Sequence, residues 1–167
     1  MPVDERRLTA EYDGDLVVFL IGMRVNALWR VHEWLPVFLA MPRMLRELEA
    51  DPESGLLAYR TLLSWRSVTM VQYWDAFDSL EEYARDDEQA HRPAWADYTQ
   101  QAGASGSVGI WHETYCVREG EHESVYHNMP AIGLREAGER RPATGSRKRA
   151  ASRLGNTGPT GEETGAD

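Results

Sequence analysis

The sequence predicts an α+β domain with the element order βαββαβ, the ferredoxin-like split βαβ arrangement. Three observations carry this prediction. Four β-rich apolar segments lie at 16–25, 56–64, 67–74 and 108–117. A stripe of apolar residues at helical spacing separates the first two, and a helix-start signal with a second helical stretch separates the last two.

Leu16 to Val25 (LVVFLIGMRV) is almost continuously apolar, as suits a central strand, and begins after the Asp13-Gly14 turn. From Leu28 to Glu49, Trp34, Phe38, Met41, Leu45 and Leu48 recur every three or four residues, the mark of a helix with one buried face. Pro36 suits a first turn. Pro42 has no amide proton for an interior hydrogen bond, which predicts a break or kink near Met41. Asp51-Pro52-Glu53-Ser54-Gly55 turns the chain. Leu56–Ser64 and Ser67–Trp74 read as strands joined around Trp65-Arg66. In the second, Val68, Met70, Gln72 and Trp74 alternate with Thr69, Val71 and Tyr73, so both faces are partly apolar. Such a sheet needs helices on one side and a partner subunit or ligand on the other. Ser79 and Glu82 form an S-x-x-E capping box that predicts a helix start running toward Gln89. Pro93 marks a new first turn, continuing to about Gln101. Val108–Val117 (VGIWHETYCV) alternates as a strand.

The 167 residues carry 18 basic and 27 acidic side chains, net −9, enough chain for one domain with a core. Residues 1–14 read as an N-terminal arm and 15–134 as the domain. Residues 135–167, with six glycines, two prolines and no aromatic residue, read as a disordered basic Gly-rich tail whose removal should change stability little. Its Arg147, Lys148 and Arg149 are read as a solvated cluster. An acidic chain without a basic patch or a long apolar span is expected to bind neither nucleic acid nor a membrane. The single Cys116 and the unremarkable N-terminus point to a cytoplasmic protein without disulfides.

Three clusters are chemically suggestive. In a helix starting near His91, Trp95 and Tyr98 share its face, presenting an imidazole and two rings to the sheet or its cavity. His91 then reads either as a general base or haem ligand, or as a local helix-start residue beside a core tryptophan. In W-H-E-T-Y, His112 shares a strand face with Ile110 and Thr114, whereas Trp111, Glu113 and Tyr115 share the other. A buried Glu113 would require pairing, with Arg60 or Arg66 as partners. In H122-E-S-V-Y-H-N-M-P, Tyr126, His127 and Asn128 read as a pocket rim or as a short strand crossing to a partner subunit. No spacing for a metal site, serine-hydrolase elbow, phosphate loop or dinucleotide fingerprint is present.

The phrases P42-R-M-L-R-E-L, G55-L-L-A-Y-R-T-L-L-S-W-R, V71-Q-Y-W, H91-R-P-A-W, V108-G-I-W-H-E-T-Y and E123-S-V-Y-H-N-M-P together resemble a bacterial and fungal family of monooxygenase-like domains, over about residues 15 to 134. That family is similar to the dimeric α+β barrel superfamily, which holds cofactor-independent antibiotic-biosynthesis-type monooxygenases alongside haem-binding aldoxime dehydratases, chlorite dismutases and dye-decolourising peroxidases. The resemblance implies a homodimer with an apolar cavity between sheet and helices. It further implies an oxidoreductase, an oxygen-using monooxygenase without cofactor, acting on a hydrophobic, electron-rich phenolic, enolic or polyketide-like small molecule. In that reading Trp74, Trp95 and Trp111 hold the substrate, with Tyr98, Glu113, Tyr115 and Tyr126 as further contacts. His91 removes a proton, and Arg60 and Asn128 hold the resulting anion. Two alternatives stand beside it: a haem b enzyme such as an aldoxime-dehydratase-like lyase, with His91, His112 or His127 as the iron ligand, and a non-catalytic small-molecule-binding or stress protein.

Overall fold

The computed structural model describes residues 2–85 and 104–154. Its strands are β1 (Leu8–Glu11), β2 (Leu16–Val25), β3 (Leu56–Ser64), β4 (Ser67–Trp74), β5 (Val108–Val117) and β6 (Glu139–Pro142). Its two longer described helices are α1 (Val31–Ala50) and α2 (Phe77–Arg85). The chain divides into two compact units, one spanning 15–117 and the other formed by the segments on either side of it.

In the 15–117 unit an antiparallel sheet has the order β3-β4-β2-β5, the strand order of the ferredoxin-like fold, and it remains an open sheet within this chain. Because strand side chains alternate, register alone assigns the faces. Phe19 lies opposite both Gln72 and Thr114, and Ile21 opposite both Met70 and His112. These residues share the face on which Met23, Val25, Val68, Met70 and Val108 form a core with Met41 and Leu45 of α1. A second cluster joins Val17 and Trp74 to Leu48 of α1 and Leu80 of α2. Each fully buried aliphatic side chain there contributes about 1.5–3 kcal/mol relative to exposure.

Both helices correct the sequence-based expectation. α1 runs unbroken through Pro36 and Pro42. The prolines leave the carbonyls of His32 and Phe38 without their i+4 donors, but both residues are exposed, so water can satisfy those oxygens. The buried residues Met41 and Leu45 hold the helix to the sheet on both sides of Pro42. α2 begins at Phe77, two residues before Ser79, so Ser79 and Glu82 lie inside it rather than at its cap. Ser79 instead packs against the turn before β3. A Cβ added to Gly55, which has φ +79°, would lie 2.5 Å from that of Ser79.

The other unit is built on β1, which pairs antiparallel with β6 and exchanges two 2.8 Å backbone hydrogen bonds with Tyr126. Here the expectation of a disordered segment from Arg135 onward is overturned for residues 135–154. Arg135 is only 3% exposed; its guanidinium donates to Asp4 Oδ2 at 2.9 Å and to the carbonyls of Met129 at 2.8 Å and Pro130 at 3.2 Å. Arg147 pairs with Glu11, and Arg153 donates to Glu123 at 2.6 Å. Ion pairs and backbone ladders order this segment, and Ala143 is its one buried apolar residue, so hydrophobic patterning gave no sign of it. Tyr126 pairs within its own chain, with Leu8. The remainder of the predicted tail, from residue 155, lies outside the described residues.

Candidate functional site

Between the inner face of the sheet and the two helices lies a cavity of about 600 Å³. Phe19, Ile21, Met70 and Ile110 make its floor apolar, and Val37, Met44 and Leu48 of α1 with Phe77 and Leu80 of α2 wall it. Among the described lining residues few polar groups interrupt this surface: Gln72, His112 and Thr114 on the strands, Glu81 and Tyr83 on α2. An apolar cleft of this size with a handful of placed polar groups is the usual form of a small-molecule site.

His112 reaches the cavity because strand alternation puts it on the same face as Ile110 and Thr114, as the sequence predicts. Its ring packs against Phe19 with centroids 5.7 Å apart and planes tilted by 41°. Tyr83 is a neutral phenol: burial pushes its pKa up, and the Glu47 carboxylate adds to the effect. Trp74 has no accessible surface. It does not line the cavity, but its indole N–H donates to Gln72 Oε1 at 3.0 Å.

The remaining predicted residues are distributed elsewhere. Trp111, Glu113 and Tyr115 lie on the opposite, outer face of the sheet, and so does Arg60, opposite Val71. Trp111 lies across Gly22, where an added Cβ would come within 2.6 Å of its indole nitrogen. Glu113 is exposed rather than buried, and it accepts a 2.7 Å hydrogen bond from Tyr115, whose pKa that carboxylate raises. Arg66, the other partner considered for Glu113, donates instead to the carbonyls of Val25 and Asn26. No single small molecule touches both Trp74 and Trp111, which the sheet separates. Tyr126, His127 and Asn128 belong to the other unit, where Tyr126 is half-buried and the other two are exposed. His91, Trp95 and Tyr98 lie outside the described residues.

Sequence reasoning passed over Gln72, Thr114, Glu81 and Tyr83. For Gln72 a signal existed: it is the one polar residue on the β4 face that also carries Val68, Met70 and Trp74.

The described lining residues do not by themselves provide for haem b. An axial imidazole is available in His112, but the two propionates would need cationic or multiple donor partners, and the only charged residue among the described lining is the anionic Glu81. Among the described residues no cluster of three His, Cys, Asp or Glu side chains could hold a metal ion, and no helix is long and apolar enough to cross a membrane.

The 15–117 unit is a ferredoxin-like α+β sheet with an apolar cavity under its helices, and the comparisons with known proteins assign the chain to a family. The chain belongs to the Monooxygenase af470-like family, whose sequence profile matches residues 16–134. It is 32% identical over 134 residues to Monooxygenase af470 of Aspergillus fumigatus, an alignment covering 72% of this chain and 46% of that protein. The chain thus spans about half the length of that relative. Among solved structures it is similar to an aldoxime dehydratase in complex with butyraldoxime, with TM-score 0.67 and 14% identity over 81% of this chain and 41% of that one. That likeness is one of fold. SnoaB, a cofactor-independent oxygenase from Streptomyces nogalater, matches with TM-score 0.45 and 13% identity over 63% of this chain and 95% of its own.

Proposed function

We propose that the 15–117 unit is an oxygen-using monooxygenase domain that holds a neutral, electron-rich phenolic, enolic or polyketide-like molecule in the cavity under the helices. The observation that carries this reading is His112, an exposed imidazole that lines a mostly apolar cavity of about 600 Å³ together with Gln72 and Thr114. Imidazole is the side chain suited to taking a proton near neutral pH. Removing a proton from an activated CH₂ leaves a carbanion that itself supplies the electrons to dioxygen. The balance is R₂CH₂ + O₂ → R₂C=O + H₂O, and it requires no other reductant. Family membership supports the reaction class, and the apolar lining supports the substrate class.

In this reading His112 acts as the base, and Arg60 contributes nothing to the anion because the sheet stands between it and the cavity. The test is oxygen consumption coupled to product mass across a panel of quinols and anthrone-like polyketides, with protein checked for metals and haem. His112→Ala should lower turnover by roughly 10²-fold or more while leaving the fold intact. His91→Ala, run in parallel, distinguishes the two imidazoles. Unchanged turnover in folded His112→Ala would falsify the assignment of the base. A saturable Soret band on haem titration, lost in His112→Ala, would replace the reading with a haem-dependent one.

The outer face of the sheet supports a homodimer as part of the same proposal. Leu62 and Trp111 are each 40% exposed there, beside the half-buried Leu20 and Val71. A second copy laid sheet to sheet would remove this apolar surface from water.

A further inference from the structure

We propose that Gln72, its amide fixed in one orientation by Trp74, selects ligands that present a carbonyl or anionic oxygen to the cavity. This rests on the cavity being the ligand site, and it adds the group that distinguishes one apolar molecule from another.

An indole N–H donates and never accepts, so the amide atom facing Trp74 Nε1 at 3.0 Å is the oxygen. The amide nitrogen, with two donors, is thereby directed away from Trp74. Gln72 lines the cavity, is only 5% exposed, and donates no hydrogen bond from that nitrogen to a described residue. Nor can the anchor turn to release it. Trp74 has no accessible surface, is packed among Val17, Leu48 and Leu80, and meets the ring of Tyr83 at 5.9 Å between centroids. The result is a preoriented donor on an apolar floor, where a ligand oxygen gains most from meeting it and a hydrocarbon of the same shape leaves it unmatched.

Register adds a length. Gln72 and Thr114 flank Phe19 on the two neighbours of β2, and His112 packs on the ring of that same Phe19. β4 and β5 are two strand spacings apart, about 10 Å. That spacing separates Gln72 from Thr114, and His112 lies two residues from Thr114 along β5, so a planar fused-ring ketone with its carbonyl toward Gln72 directs its far ring toward Thr114 and His112.

The test uses 1-tetralone and tetralin, which share a bicyclic frame and differ by one carbonyl oxygen, titrated into the full chain by calorimetry. The tetralone-to-tetralin affinity ratio should fall about three- to tenfold in Gln72→Met, which keeps length and apolar volume but has no amide. The infrared carbonyl band of bound tetralone should lie at lower frequency in the wild type than in Gln72→Met, a shift that a purely structural role would not produce. Gln72→Glu retains the acceptor for Trp74 and replaces the donors by a carboxylate, and it should lower the ratio similarly. That variant supplies the same readout if Gln72→Met does not fold. An unchanged ratio and carbonyl frequency in folded variants, with both probes bound, overturns the role of Gln72 and leaves the cavity reading standing. Failure of both probes to bind the wild type overturns the two together.

Discussion

Gly22 and Trp111 show how one residue decides what the outer face presents. Without a side chain at Gly22 the indole can lie across β2, and a Cβ there would fall 2.6 Å from its nitrogen. Gly22→Ala should therefore lift the ring off the sheet, change tryptophan fluorescence and lower stability by about 1–3 kcal/mol. Because Trp111 and the cavity lie on opposite faces, 1-tetralone affinity should remain at the wild-type value. A parallel loss of affinity would mean that the two faces are coupled through the sheet.

The elements differ in how openly the sequence declares them. β2, β3, β4 and β5 are legible because each repeats apolar residues with period two or as a continuous run, and the parity of His112 relative to Ile110 correctly assigns its face. Arg60 was harder to place. Its face depends on the pairing across the hairpin, where Tyr59 meets Gln72 and Arg60 meets Val71 beyond a register shift near Leu56. β6 (Glu-Arg-Arg-Pro) carries no apolar period at all, and it is a strand only because β1 offers its backbone and Glu11 gathers Arg141 and Arg147. Truncation after Leu134 should accordingly lower Tm by several degrees by removing β6 and Arg135, and Arg135→Ala alone should reproduce part of that loss. Asp4, held well below the usual carboxylate range first by hydrogen bonds from Arg6 and then by Arg135, makes the effect acid-sensitive. A depressed carboxylate stabilises fully above its unfolded pKa, and the contribution fades as pH falls toward the folded value. Thermal melts from pH 6 down to pH 2 should show this loss in the wild type and a shallower decline in Asp4→Asn.

For the whole molecule, the decisive measurement is mass in solution. Light scattering at micromolar concentration should give about twice the 19.0 kDa of one chain. Leu20→Asp, on the outer face of the central strand, should shift the population toward a single copy without altering 1-tetralone binding. A wild type that remains a single copy, with Leu62 and Trp111 in water, would remove the sheet-to-sheet contact from the proposal.

The pairing of β1 with β6 has a kinetic consequence. Glu11 and Arg147, which tie this small sheet together, are separated by 136 positions in the chain. The 15–117 unit closes over shorter loops and contains its own apolar core, so it can collapse first. During synthesis β1 precedes both its partners, and the edge that pairs with β6 waits until Arg140 and Arg141 have left the ribosome, after Tyr126 has become available to Leu8. Its brevity, four residues ending in Glu11, and the charged residues Glu5, Arg6 and Arg7 ahead of it keep that waiting edge from recruiting other strands.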